Sequence, residues 1–356
     1  MKYEIAVTKT QNPKTKPDPA TLEFGTVFTD HMFLMDYDKG IGWHDARIVP
    51  YGPIALDPAA AVLHYAQEMF EGLKTYKTED GKIQLFRPDM NAKRTNATNE
   101  RLCIPLIDEG FYVDAIKSLV AFEKDWVPEL DGTSLYIRPF IFGNEPFLGV
   151  RPSNQYIFCI ILSPVGSYYK GGISPTKIFV EDEYVRSVSG GTGFAKIGGN
   201  YANGLASQEK AHKSGFTQVL WLDGKEHKYI EEIGTSNAFF VIGGEVFTAP
   251  LDEGTILPGI TRDAVIQLLK DWNIPVREER FTIDDVTKAH REGRLDEVFA
   301  SGTAAVISPV GELRYIDQDM VINHGKIGAL SQKLYDTITG IQKGQLPDTY
   351  NWIVAL

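Results

Sequence analysis

Residues 189–201 read Ser189-Gly190-Gly191-Thr192-Gly193-Phe194-Ala195-Lys196-Ile197-Gly198-Gly199-Asn200-Tyr201, five glycines crowded around one lysine. Glycine costs backbone entropy, so such a cluster implies positive φ or close approach of the backbone to another group. A lysine held there is a candidate nucleophile, because partial burial lowers its pKa and frees the amine lone pair. The competing reading is a surface loop with a solvated lysine, the commoner fate of an isolated lysine among glycines. Two nucleotide-binding readings fail on the residues themselves. A P-loop needs glycine before the lysine and Ser or Thr after it, where Ala195 and Ile197 stand. A dinucleotide fingerprint needs a third glycine where Gly191-x-Gly193 is followed by Lys196.

The rest of the chain sets bounds. At 356 residues and 43% hydrophobic, it can bury a sizeable core and is expected to form two domains. A net charge of -11 argues against a nucleic-acid surface, which needs a basic face. The two cysteines, Cys103 and Cys159, stand in no metal or redox spacing and fit a reducing compartment. The first twenty residues are polar with no apolar signal core, and the densest apolar run, 157–162, is too short to span a bilayer. The expectation is a soluble, cytoplasmic protein.

Periodicity predicts a strand over 24–36, a helix over 58–70, and a hairpin 73–77/82–86 around Asp80-Gly81. Helices follow from Pro88 and over 112–126, then strands over 133–142 and 155–162. Two prolines and three glycines without period over 164–175 mark 165–176 as an interdomain loop, with 1–164 a small α+β domain and 177–356 a larger cofactor-binding one. Beyond the loop come a strand over 177–187, a helix over 201–214, and hairpins 218–222/228–233 and 239–242/245–248. An amphipathic helix over 261–272 and a Thr282/Asp285 capping box precede strands 297–300 and 304–310. Recurring hairpins without regular βαβ spacing point to an α+β or α/β fold with mixed sheets.

Three further segments carry possible chemistry. Pro258-Gly259-Ile260-Thr261-Arg262 opens a helix, a natural place for an anion. Residues 86–94 put Arg87, Lys93 and Arg94 near another helix start, and Glu231-Glu232 ends a strand beside Gly234-Thr235-Ser236. Each alone reads as an ordinary solvated feature. Together they are what pyridoxal phosphate requires: a lysine for the imine, an anion cradle for the phosphate, and a carboxylate to keep the pyridine nitrogen protonated.

Lys196-Ile197-Gly198-Gly199-Asn200-Tyr201 closely resembles the lysine motif of branched-chain amino acid aminotransferases, fold-type IV pyridoxal-phosphate enzymes. So do Leu63-His64-Tyr65, Met69-Phe70-Glu71-Gly72-Leu73-Lys74 and Thr133-Ser134-Leu135-Tyr136-Ile137-Arg138-Pro139. Gly143-Asn144-Glu145-Pro146, Glu232-Ile233-Gly234-Thr235, Ile256-Leu257-Pro258-Gly259 and Ser301-Gly302-Thr303-Ala304 complete the set, in the family's order from about residue 24 onward.

The resemblance implies a two-domain fold-type IV homodimer, with the active site near the subunit interface, that moves the amino group of leucine, isoleucine or valine to 2-oxoglutarate. Lys196 would form the imine and shuttle protons, Glu232 would hold the ring nitrogen protonated, and Tyr201 would bond the ring hydroxyl. Arg94 would anchor the phosphate, helped by the backbone N–H groups of Ile260 and Thr261, and Thr235 and Thr303 would also bind the cofactor. Tyr65 with the N–H groups of Thr303 and Ala304 would take the α-carboxylate. Phe24, Phe70, Tyr136 and Val150 would form the apolar pocket, Val150 from the partner subunit, and Arg138 would meet the second carboxylate of 2-oxoglutarate. Tyr136 and Arg138 are two apart on a predicted strand, so they share a face. Mammalian members carry a Cys-x-x-Cys where this chain has Ala305 and Ser308, which rules out a thiol switch at that place. A D-amino acid aminotransferase or aminodeoxychorismate lyase would share the lysine and glutamate, and a phosphate-binding module is the non-catalytic alternative.

Overall fold

A computed structural model describes residues 3–166 and 173–356. The chain divides into two compact units, one of Met1–Tyr168, Ala195–Gly198 and Gly340–Leu356, the other of Tyr169–Phe194 and Gly199–Thr339. The sequence expectation drew one cut at 165–176, of which 167–172 lie outside the described residues. The units are interleaved along the chain instead. The piece bearing Lys196 and the C-terminal stretch both pack with the first unit.

The first unit holds a sheet whose spatial order is Ala6–Val7, Gly42–Pro50, His31–Asp38, Gln155–Val165, Ser134–Gly143, Leu73–Lys77, Ile83–Phe86 and Ile353–Ala355. Glu68–Phe70 pairs beside Ser134–Gly143, with Phe70 opposite Phe140. Only the short Ala6–Val7 pairing is parallel among the described pairs. Side chains alternate across a strand. Leu135, Ile137 and Ile141 therefore enter the apolar core with Phe33, Tyr112 and Phe158, while Tyr136 and Arg138 face the other way. The helix Glu109–Phe122, capped by Asp108 accepting from the Phe111 N–H at 2.7 Å, packs Ile116, Leu119 and Val120 into that core. The helix Pro88–Leu102 differs: its buried stripe is Asn91, Arg94, Thr95, Thr98 and Asn99. Polar residues at i, i+3/i+4 and i+7/i+8 directed inward are costly unless they bond something, so this face marks a site rather than a core.

In the second unit, Ile230–Ile233, Gln218–Leu222, Thr176–Glu181, Val306–Tyr315, Leu295–Gly302 and Ser236–Ile242 are neighbours in that order, and the last pairs back to the first. The closed ring of six strands is filled by Ile178, Val180, Leu220, Phe240, Val298 and Val310. Glu245–Thr248 and Val276–Glu278 extend the sheet, whose pairings are both parallel and antiparallel. The helix Ile283–Arg291 begins with the expected Thr282/Asp285 capping box.

Some elements differ from expectation. The 58–70 helix shrinks to Ala61–Tyr65, because Ala66 turns left-handed at φ 48° and residues 68–70 join the sheet. The 24–36 strand begins only at His31. The 201–214 helix is two, Gly198–Asn203 and Leu205–Lys213.

Candidate active site

Lys196 is stitched to the first unit along its backbone. Its N–H donates to Thr98 Oγ1 at 3.1 Å, and its carbonyl accepts the Phe70 N–H at 3.1 Å. Two residues on, the Gly198 N–H donates to Glu68 Oε1. A Cβ at Gly198 would lie 2.4 Å from that carboxylate oxygen, so any larger residue would push the Glu68 carboxylate out of this position. Gly193 has the same need elsewhere: a Cβ there would lie 2.2 Å from the Thr255 carbonyl oxygen. Gly193 and Gly198 thus serve close approach, while Gly190, at φ 78° with open space around it, serves the bend of the chain.

The Lys196 ammonium lies 4.6 Å from the Phe70 ring centre. Burial lowers its pKa to about 8, and the charges of Arg94 and Arg138 push the same way against Glu71 and Tyr136. Near neutral pH this amine spends part of its time as the free base. Glu71, fully buried, forks Arg94 through Nε at 2.7 Å and Nη2 at 2.9 Å, and also accepts from Asn91 Nδ2 at 2.7 Å. Burial raises the Glu71 pKa, but Arg94, Lys196 and Asn91 outweigh it and keep the carboxyl below its ordinary value.

Four of the sequence-predicted pocket residues meet beside Lys196. Phe24 packs edge-on to Tyr136 at 4.9 Å, and Arg138 Nη2 donates to the Tyr136 hydroxyl at 3.0 Å. The Arg138 guanidinium lies 4.8 Å from the Phe70 ring centre. Its Nε–H is buried and bonds nothing among the described residues. A buried, unbonded guanidinium donor is costly, so it implies an acceptor that binds there.

Tyr65 and Val150 sit apart from this cluster. The Tyr65 hydroxyl donates to the Leu148 carbonyl. Leu63, Tyr65, Leu148 and Val150 make an exposed apolar lip, and Val150 is 85% exposed.

In the second unit Glu232 is 1% exposed. Its Oε1 accepts the Leu257 N–H at 2.7 Å and Asn237 Nδ2 at 3.3 Å, and its Oε2 meets Arg186 Nε at 2.9 Å. Arg186 in turn donates to the Thr255 carbonyl at 2.8 Å and the Gly193 carbonyl at 3.2 Å. One buried guanidinium thus ties the glutamate to the glycine-rich loop. Tyr201 and Thr235 line a small cavity of about 30 Å³ with Arg186 and Trp221. Ile260 and Thr261 open the helix Ile260–Asp271, which follows an extended Gly259. Thr303 and Ala304 form the turn between Leu295–Gly302 and Val306–Tyr315.

Sequence reasoning assigned no role to Arg186, Glu71 or Lys74. Arg186 lies in a stretch read as plain strand, with no motif to draw notice. Glu71 and Lys74 stand inside a recognised motif, but their partners are distant in sequence. Lys74 pairs opposite Tyr136 in register, and burial lowers its amine to about 8.

Comparison with known proteins agrees with this geometry. The family Amino-transferase class IV matches residues 68–313. Branched-chain-amino-acid aminotransferase 2 of Bacillus subtilis (strain 168) is 58% identical over 351 residues, 99% of this chain and 96% of that protein. The branched-chain amino acid aminotransferase of Escherichia coli superposes with a TM-score of 0.75 at 26% identity, covering 91% of this chain and 98% of that one. The T.th. branched-chain amino acid aminotransferase with pyridoxamine 5'-phosphate superposes with a TM-score of 0.74 at 26% identity, over 90% and 97% of the two chains. The chain belongs to the class IV aminotransferases, in the branch of the branched-chain-amino-acid aminotransferases.

Proposed function

We propose that this protein is a pyridoxal-phosphate-dependent transaminase that moves the amino group of L-leucine, L-isoleucine or L-valine to 2-oxoglutarate, giving the branched 2-oxo acid and L-glutamate. The observation that carries it is the pocket around Lys196: apolar Phe24, Phe70 and Tyr136 with one half-buried guanidinium whose buried Nε–H has no acceptor among the described residues. An aliphatic side chain matches the rings, and the distal carboxylate of 2-oxoglutarate matches Arg138.

The residues fit pyridoxal phosphate. An amine at about 8, a buried carboxylate fixed by three donors and a helix start are the donor set that this cofactor needs. When bound, it supplies an electrophilic carbon and a ring that withdraws electrons from the substrate's Cα. Lys196 would hold it covalently, Arg94 and the first turn at Ile260 and Thr261 would take its phosphate with Thr235 and Thr303, and Tyr201 its ring hydroxyl. Glu232 would hold a proton on the ring nitrogen, with Arg186 keeping that carboxylate aimed. Lys196 Nζ would accept the Cα proton of the donor amino acid and return a proton in the second half-reaction. Tyr65, Thr303 and Ala304 would orient the α-carboxylate, and Glu71 would keep Arg94 in place.

Two further features support a homodimer completed by Val150 of a second copy. These are the exposed lip at Leu63, Tyr65, Leu148 and Val150, and the hydroxyl bond that fixes Tyr65 to the Val150 loop. No helix among the described residues is long and apolar enough to cross a membrane, and both cysteines are free thiols, which supports a cytoplasmic location.

The test is an amino-donor screen with 2-oxoglutarate, following visible cofactor absorbance and glutamate formation. Leucine, isoleucine and valine should be consumed at least tenfold faster than alanine, aspartate or D-leucine. A preference for a D-amino acid, or a protein that stays colourless with added cofactor, overturns the proposal.

A further inference from the structure

Glu231 and Glu232 are neighbours on one strand and so face opposite ways. Glu231 is 4% exposed, and it lines a cavity of about 470 Å³ that none of the residues assigned to transamination lines. Thr255 bonds one of its carboxyl oxygens. Its other oxygen, Oε2, is buried with no partner among the described residues. Asp223 also lines the cavity but is saturated: its two oxygens accept the N–H groups of Lys225, Glu226, Lys228 and Tyr229.

The opposite charge comes from Arg280. Its guanidinium stacks 3.7 Å over the Tyr229 ring. Asp223 and Glu253 ion-pair with it at 3.9 and 3.8 Å, too long for hydrogen bonds, and Arg280 makes no hydrogen bond to a described residue. The cavity therefore offers an unused carboxyl oxygen and an unsaturated guanidinium. A simple cation would meet the charges of Arg280 and Lys225, and a simple anion those of Asp223 and Glu253. A small molecule carrying both charges satisfies each.

We propose that this cavity is a second, non-catalytic site for a zwitterionic α-amino acid, its ammonium on Glu231 and its carboxylate on Arg280. The site does not depend on the transaminase assignment. Empty, Glu231 holds its proton: burial raises its pKa to about 8, with Glu232 and Asp223 adding to the rise and Thr255 and Arg186 opposing it. An incoming ammonium takes the place of that proton, so binding near pH 7 releases one.

The test uses isothermal titration calorimetry of the cofactor-loaded protein with glycine, trimethylglycine and methylammonium chloride, in phosphate and in HEPES at the same pH. Any binding of these probes at the Lys196 site is common to wild type and Glu231→Gln, so the difference between the two isolates the cavity. Glycine should bind wild type with release of close to one proton, at least tenfold more tightly than either control. Glu231→Gln should weaken the cavity binding at least tenfold. The amide replaces a carboxyl that is already neutral, so the fold should hold. Ser189→Trp, at the exposed rim, should weaken glycine to a similar degree without touching the core. Equal glycine affinity in wild type and both variants overturns the proposal, as does equal affinity for glycine and trimethylglycine.

Discussion

At the scale of the residue, the proposed chemistry rests on three charged side chains, Lys196, Glu232 and Arg138. Lys196→Ala removes the only group assigned to move the Cα proton, and should cut turnover by more than about a thousandfold, abolish the visible absorbance, and prevent borohydride from fixing the cofactor to the chain. A variant that keeps wild-type rate and absorbance contradicts that role. In the cofactor-free protein, the Lys196 amine titrates at about 8, so its trapping by a small aldehyde should rise to half its limiting rate near pH 8. An inflection above about pH 10, where an exposed lysine titrates, would remove the burial argument. Arg138→Ala should slow the 2-oxoglutarate half-reaction at least tenfold more than the leucine half-reaction, and stopped-flow rates that fall equally in both would sink its assignment. Lys196, Glu232 and Arg138 could be nominated from sequence because each sits in a local motif. Arg186 was not. Its meaning lies in a 2.9 Å contact with a side chain forty-six positions away, which no local pattern encodes.

At the scale of the element, the glycine-rich stretch is shaped by clearance. Gly198→Ala would force a methyl against Glu68 Oε1, costing about 1–3 kcal/mol by overpacking and displacing the adjacent lysine. Combining it with Glu68→Ala removes the obstructing carboxylate and should return much of the thermal stability. If the double variant melts no higher than Gly198→Ala alone, the clash is not the cause. Thr282→Ala deletes the side chain that caps Ile283–Arg291, and should cost about 1 kcal/mol in denaturant unfolding. That capping box was readable because both partners are three residues apart. The 58–70 helix was misjudged for the opposite reason: its apolar spacing suits a helix, but pairing with Ser134–Gly143 claims 68–70, and sheet partners are not visible from one strand. Helix Pro88–Leu102 was legible as a helix, yet its inward polar face emerged only from burial.

At the scale of the whole molecule, the mixed sheets and the class followed from recurring hairpins, while the closed ring and the interleaving did not, since both depend on long-range pairing. The exposed lip predicts self-association: sedimentation should give a dimer, and Val150→Glu should shift it toward monomer, with unchanged secondary structure. A wild-type protein that sediments as a monomer at micromolar concentration overturns the homodimer. Stability should also carry a signature from Glu231. Its native pKa is raised from 4.5 to about 8, so the folded chain keeps a proton that the unfolded chain gives up. The stability this contributes is whole below about pH 4.5 and lost as pH rises through about 8. Glu231→Gln has no such proton to lose, so its melting midpoint should climb relative to wild type between about pH 5 and 9. A constant offset across that range contradicts the burial of this carboxyl.

The placement of Ala195–Gly198 with the first unit, between two stretches of the second, bears on how the protein can be taken apart. A fragment ending at the linker has no Lys196, and a fragment starting after it carries the lysine without Phe70, Thr98 or Glu68 to seat it. No single cut therefore yields a minimal catalytic piece, and exchange of one unit between homologues must carry the short lysine segment along with the first. Aldehyde trapping with an apparent pKa near 8 becomes a reporter of the folded first unit, silent in any species where only the second has formed.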